Sequence, residues 1–413
     1  MKTNGASGVG ARTYVRGPLP LLGPAFVAAI AYVDPGNFAT NISAGSVYGY
    51  LLVWVVLTSN LMAMLIQYLS AKAGVATGRN LAELCREHFP RPVSRGLWVQ
   101  AEVVVIATDV AEVLGGALAL KLLFGIPLLA GGVITSVVAF ALLLFQNRGH
   151  RPFESVIVAL LAVILLGFLY NLVLAGVDVG GFATGVVPRF EGTDSLLLAA
   201  GMLGATVMPH AIYLHGALTQ DRYVRTTAED REALVRTQRT DVIAAMSVAG
   251  LVNLSMVVIA AQVLSGADEP VETIEAAHAG IGDALGPGAA LLFALALLAS
   301  GFASTSVGTY SGQVVMQGFL RRRIPLALRR LVTLTPALLL LAIGVDTTEA
   351  LVYSQVVLSF GIPFALVPLV LFTRRADVMD TLVNRRVTTV IASVVASLII
   401  VMNVALIYLT ITG

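Results

Sequence analysis

Long apolar runs, parted by short charged segments, recur along the whole chain. Runs of at least ~18 residues mark helices able to cross a bilayer. Eleven spans are predicted, at about 20–46, 50–72, 94–121, 126–146, 154–175, 196–218, 241–265, 288–318, 327–345, 349–373 and 388–411. Spans 1 and 6 are interrupted near their middles, by Asp34-Pro35-Gly36-Asn37 and by Met208-Pro209-His210. Proline has no N–H to donate and breaks the helical ladder. At mid-depth, a freed carbonyl or a carboxylate costs several kcal/mol if it stays unpaired. An ionisable residue there is a functional-site candidate by default. Two interrupted helices at matching positions of two halves point to a transporter's binding site.

The pattern divides the chain into two halves of five spans, with span 11 in addition. No sequence repeat is evident by eye. Because five is odd, the second half must be inverted relative to the first. The expected fold is an all-α membrane protein: a polar, basic tail over 1–18 and one transmembrane domain over 19–413. Within that domain the first repeat covers about 20–175, the second about 196–373, and the extra helix about 388–411.

Loop charges set the orientation. Lys2, Arg12 and Arg16 lie in the tail. Arg79, Arg86, Arg91 and Arg95 follow span 2, and Arg148 and Arg151 follow span 4. Arg222, Arg225, Arg231, Arg236 and Arg239 follow span 6. Arg321, Arg322 and Arg323 follow span 8, and Arg374, Arg375, Arg385 and Arg386 follow span 10. The alternate loops hold almost none. The 266–287 loop carries Asp268, Glu269, Glu272, Glu275 and Asp283 without a Lys or Arg. The N-terminus is therefore expected inside and the C-terminus outside.

Composition agrees. Only 12% of the 413 residues are charged and 57% are hydrophobic, against about 25% charged in a soluble domain. A net charge of +2 without a long basic tract argues against nucleic acid as a partner. One cysteine, Cys85, excludes an internal disulfide or a cysteine-based metal cluster.

Span 3 carries Glu102, Asp109 and Glu112 inside an apolar run. At 100° per residue, Asp109 lies about 20° from Glu102 and Glu112 about 60° from Asp109, so the three share a face. Chains of intramembrane carboxylates are the usual form of a proton relay. Arg329 and Arg330 on span 9 are candidate counter-charges; a static salt-bridge network is the competing reading. His210 and His215 on span 6 are five residues apart, a poor spacing for a two-histidine metal face. They are candidates for proton handling, and packing is the ordinary alternative. Gln355 on span 10 and Asn253 on span 7 are candidate ion-shell amides or helix–helix hydrogen-bonding groups. Thr108, Asn60 and Gln67 carry weaker arguments, and His88, His150 and His278 are expected in loops.

The two interruptions, with Ala31-Tyr32-Val33 before the first, Gly204-Ala205-Thr206-Val207 before the second and Ile212-Tyr213-Leu214-His215 after it, resemble the signature motifs of the Nramp family of divalent-metal transporters. The resemblance runs over essentially the whole chain, without departure at the motif residues. It implies a LeuT-type fold and proton-coupled import of Mn²⁺ or Fe²⁺ across a bacterial inner membrane. It also implies that Asp34, Asn37, Ala205 and Met208 bind the metal, with Gln355 a candidate to join them. Asp109, Glu112 and one of Arg329 and Arg330 would form a polar path from the site. Asp34 would belong to both sets.

The residue types fit that implication. A carboxylate and an amide oxygen alone would suit Mg²⁺ or Ca²⁺. A thioether is soft and favours transition metals, so Met208 would exclude the alkaline earths and let Cd²⁺ pass. Ala205 precedes Pro209 by four residues, so a carbonyl near it is released from the helix. Asn37 could equally cap the resumed helix, and Met208 could be core packing. Two readings keep the architecture: a cation-coupled amino-acid symporter and a Mg²⁺ transporter. An anionic Asp34 and a thioether oppose the former. An intramembrane metalloenzyme would need a closed, histidine-rich set such as HExxH, which is absent. A channel would more often show repeated pore motifs. No enzyme activity, permanently bound cofactor or obligate oligomer is expected; the partners are the metal ion, protons and the bilayer.

Overall fold

Each interruption is built by a proline that starts a new helix, where its missing N–H costs nothing. Span 1 is α1 (Pro24–Ile30), a 3₁₀ turn (Ala31–Val33) and α2 (Pro35–Tyr48). It is followed by α3 (Val53–Thr77), α4 (Leu81–His88), α5 (Arg91–Phe124), α6 (Leu128–Leu144), α7 (His150–Ala175) and α8 (Val179–Gly185). Span 6 is α9 (Gly192–Thr206) and α10 (Pro209–Gln220). The remainder is α11 (Ala228–Val263), α12 (Ile274–Leu285), α13 (Pro287–Leu320), α14 (Leu326–Ile343), α15 (Thr347–Thr373), α16 (Ala376–Met379) and α17 (Arg386–Thr412).

This is a computed structural model, and it describes residues 23–144, 150–220, 227–266, 271, 273–321 and 326–412. The tail over 1–18 lies outside the described residues. So do Arg148, Arg222, Arg225, Asp268, Glu269, Glu272, Arg322 and Arg323, and the side chains of Arg329 and Arg330 on α14.

Among the described residues, eight helices are long and apolar enough to cross a membrane, and three shorter apolar stretches (Pro24–Val33, Leu128–Leu143, Leu331–Ile343) fall on spans 1, 4 and 9. All eleven predicted spans are thus helical. The short helices α4, α8, α12 and α16 sit in segments expected to be loops, and they place His88 and His278 on helices. Span 7 begins earlier than its apolar run because Thr227 and Asp230 form a capping box that starts α11 at Ala228.

The packing pairs off by a shift of five spans. α2 packs on α11 as α10 packs on α3; α5 packs on α15 as α13 packs on α7; α5 packs on α14 as α13 packs on α6. α5 and α13, spans 3 and 8, also lie against each other. This is the contact pattern of two inverted five-helix repeats. α17 packs outside them, on α15 and α9.

The α5–α13 crossing is close because it is glycine on glycine. A Cβ at Gly301 would stand 2.8 Å from the Gly116 Cα and 2.9 Å from its nitrogen. Gly301→Ala should therefore lower the thermal unfolding midpoint, by an overpacking cost of about 1–3 kcal/mol. Gly96→Ala on the open face of α5, where nothing lies within 4 Å, should leave it unchanged or raise it. An unchanged midpoint in Gly301→Ala would contradict this packing.

Candidate metal site between the two broken spans

Asp34 is the N-cap of α2, in an extended conformation. Its Oδ1 accepts the Asn37 backbone N–H at 2.9 Å and the Asn37 side-chain Nδ2 at 2.8 Å. The same Nδ2 donates to the Ala205 carbonyl at 3.0 Å. Asp34 therefore caps α2, and Asn37 ties span 1 to span 6. The Ala205 oxygen is the one that Pro209 cannot serve, as the sequence predicts.

Gln355 of α15 reaches the same place. A Cβ on Gly36 would collide with its side-chain amide, and a Cβ on Gly204 would collide with its carbonyl oxygen. Its Nε2 donates to Ser354 Oγ at 3.1 Å. Asp34, Asn37, Met208 and Gln355 are all fully buried. Three oxygens of this group, Asp34 Oδ2, Asn37 Oδ1 and Gln355 Oε1, accept no hydrogen bond. Buried acceptors without a partner are expensive, and a cation satisfies several at once. The C-terminal end of α9 adds the partial negative charge of its last carbonyls. Among the described residues, no group of three His, Cys, Asp or Glu could hold a metal, so the site is not a conventional closed metal centre. It offers one carboxylate, neutral oxygens and the Met208 thioether.

Neighbouring helices serve two freed carbonyls of span 1. Asn253 Nδ2 of α11 donates to Tyr32 O at 2.8 Å, and Ser300 Oγ of α13 donates to Val33 O at 2.6 Å. The Asn253 oxygen accepts from Asn41 Nδ2 at 3.1 Å. At the start of α1, Asp241 of α11 accepts the N–H groups of Gly23 (3.2 Å) and Ala25 (3.0 Å). The sequence does not single out Ser300 or Asp241, and it marks Tyr32 only as part of a motif flank. Asp241 alone left a signal, an acid at the edge of an apolar run; Ser300 resembles any small residue of a packed helix.

The candidate proton groups divide. His210 lies in the first turn of α10, with Nδ1 at 3.2 Å from Thr108 Oγ1, one residue before Asp109 on α5; its Nε2 is buried without a hydrogen bond. Ser311 Oγ of α13 donates to the His210 carbonyl at 2.7 Å. Asp109 and Glu112 are buried, and the Glu112 carboxylate lies over Gly308 of α13. α14, which bears Arg329 and Arg330, packs on α5. Glu102 is half-buried and accepts the Trp98 indole N–H at 3.1 Å; it stands about 10 Å of helix rise from Asp109. His215 faces a different neighbour. Its Nδ1 is 2.8 Å from Gln67 Oε1 on α3, and Gln67 Nε2 donates to the Tyr32 hydroxyl. The two histidines therefore belong to separate networks, His210 toward α5 and His215 toward α3 and the unwound turn.

Two inverted repeats with a polar site between interrupted first helices define a secondary transporter of the LeuT type. A nucleobase-cation-symport-1 family transporter, Mhp1, has this fold, with a TM-score of 0.58 at 17% identity over 93% of this chain and 90% of its own. The chain belongs to the Nramp family: the model described as "Natural resistance-associated macrophage protein-like" matches residues 25–409. It is 53% identical to the divalent metal cation transporter MntH of Bacillus subtilis over 393 residues, covering 95% of this chain and 92% of the relative. The protein of that name from Deinococcus radiodurans is 53% identical over 390 residues, covering 94% and 89%. The manganese transporter of Eremococcus coleocola superposes with a TM-score of 0.84 at 33% identity, covering 95% and 87% of the two chains.

Ser300→Ala leaves the Val33 carbonyl buried without its donor, at a cost of about 1–3 kcal/mol. Its unfolding midpoint should fall well below that of Ser59→Ala, because the buried Ser59 hydroxyl only bonds back to its own helix, at Val56 O. Equal midpoints would contradict a role for Ser300 in holding the break.

Proposed function

We propose that this chain imports divalent transition-metal ions, Mn²⁺ and Fe²⁺ with Cd²⁺ also accepted, across a bacterial inner membrane in symport with protons. The observation that carries the reading is the set of three buried, unpartnered oxygens, two on Asp34 and Asn37 of the first break and one on Gln355 of the helix packed on it, with the buried Met208 at the second break. Asp34 supplies the charge opposite the ion. Asn37, Gln355 and the Ala205 carbonyl supply neutral oxygens, and Met208 supplies sulfur. All these groups come from one chain, so no partner subunit is needed to complete the site. The N-terminus is inside and the C-terminus outside, following the loop charges. Transport proceeds by alternating access, the two repeats moving about the Asp34–Met208 site.

Mn²⁺ uptake into proteoliposomes tests the reading. Asp34→Asn keeps the shape and removes the charge from a site with little water to screen it. Uptake should fall by about tenfold or more. Near-normal uptake by a folded Asp34→Asn protein would remove Asp34 from the ligand set.

Met208 sets selectivity rather than affinity. Met208→Ala should keep part of the Mn²⁺ uptake, weaken Cd²⁺ more, and let Ca²⁺ and Mg²⁺ compete. A mutant that still ignores a large excess of both alkaline earths would make Met208 a packing residue.

Protons leave the site through His210 toward Asp109 and Glu112, with Arg329 or Arg330 as the counter-charge. Asp109→Asn should spare metal binding, whose ligands lie on other helices, and should lower metal-stimulated proton influx while flattening the pH dependence of uptake. A static ion pair predicts lower stability instead, because the partner charge is stranded, with coupling intact. Proton and Mn²⁺ fluxes measured in the same liposomes separate the two. Unchanged proton influx in a well-folded mutant would favour the static pair.

A further inference from the structure

Away from the metal site, a cleft of about 400 Å³ opens between α3, α9 and α17. Its walls include Trp54 and Met62 of α3, Leu203 of α9, and Leu398 and Met402 of α17. The one hydroxyl on its lining, Thr58 Oγ1, is spent on the Trp54 carbonyl at 2.7 Å. The cleft therefore offers water few partners, although it has room for many waters at ~30 Å³ each. It faces the lipid side: Leu398 is 53% exposed and Val401 64% exposed on its rim.

Its depth and mouth match one leaflet. Trp54 to Met62 on α3 and Ala405 to Leu398 on α17 rise about 12 and 10 Å, close to half of the ~30 Å hydrocarbon core. The mouth lies where α3 and α9 begin. There the Trp54 Nε1 donates to the Arg189 carbonyl at 3.3 Å, and the Trp54 and Phe190 rings meet edge to face at 5.3 Å. Tryptophan and arginine at this level are interfacial anchors. Arg189 is exposed and has no ion-pair partner among the described residues, whereas Lys121, the other cation expected on that side, pairs with Glu275 at 3.2 Å.

We propose that this cleft is a phospholipid site: one acyl chain of an outer-leaflet lipid lies along α9 and α17, with its phosphodiester at Arg189. The leaflet follows from the loop-charge orientation. A guanidinium pairs bidentately with phosphate, and a dry apolar slot open to the bilayer is filled by the hydrocarbon beside it. The chain wedges against the helix that carries Gly204 and Ala205, so lipid occupancy bears directly on the frame of span 6.

Trp54 is the natural reporter, since the protein has only two tryptophans and Trp98→Phe removes the other. Detergent-solubilised Trp98→Phe protein is titrated with phosphatidylglycerol brominated at mid-chain. The expected result is saturable quenching of more than about half the emission at a few mole per cent of lipid, reversed by unbrominated phosphatidylglycerol. Ala405→Phe, which fills the cleft from α17, should abolish the saturable part. Leu398→Phe serves the same purpose if Ala405→Phe does not fold. Arg189→Ala should weaken phosphatidylglycerol about fivefold and leave a brominated fatty-acid methyl ester unaffected. Quenching that only tracks the mole fraction of brominated lipid, or that is equal in the filled variants, would overturn the proposal and identify ordinary annular lipid.

Discussion

Where water is absent, every polar group exposed by breaking a helix needs a partner from the protein or from its cargo. That constraint organises this chain. Two broken spans release main-chain oxygens at mid-depth, and three of them are answered separately: Tyr32 O by Asn253, Val33 O by Ser300, and Ala205 O by Asn37. Beside the first break, Asp34 Oδ2, Asn37 Oδ1 and Gln355 Oε1 stay without a hydrogen bond. These three oxygens are the ones the proposed cation would satisfy.

The scaffold serves the same requirement. Inverted repeats bring span 1 and span 6 together at their breaks, so that Asn37 of one can reach Ala205 of the other. Close glycine contacts let α15 lie directly on both, at Gly36 and Gly204, and let α13 lie on α5 at Gly116. The same closeness carries the His210 imidazole to Thr108, beside Asp109. The proposed metal ligands lie on α2, at the α9–α10 break and on α15, and Asp109 and Glu112 lie on α5, so those two acids can be altered without touching a proposed ligand.

Much of this was legible in the chain, for physical reasons. Apolar runs of bilayer length specify spans, and prolines within them specify breaks; all eleven predicted spans are helices. The breaks also point to Asp34, Asn37, Ala205 and Met208, because few other residues are polar or soft at that depth. Helical periodicity places Asp109 and Glu112 on one face, but it cannot show what faces them, nor that the His215 ring meets Gln67. Ser300 and Asp241 were missed because their roles depend on tertiary neighbours far away in sequence. The amphipathic helices α4 and α12 were read as loops because they are too short and too polar to register as spans. Divalent-metal transport rests on the motifs and the family together; residue-level roles rest on the geometry.

The central claim is that both breaks hold the same ion, with a carboxylate from one and a thioether from the other. X-ray absorption at the cadmium edge, on purified protein loaded with one equivalent of Cd²⁺, reads the coordination shell directly. The account predicts oxygen scatterers with one sulfur, the sulfur disappearing in Met208→Ala while the oxygens remain. An all-oxygen shell in the unmodified protein, or a sulfur signal that survives Met208→Ala, would contradict it.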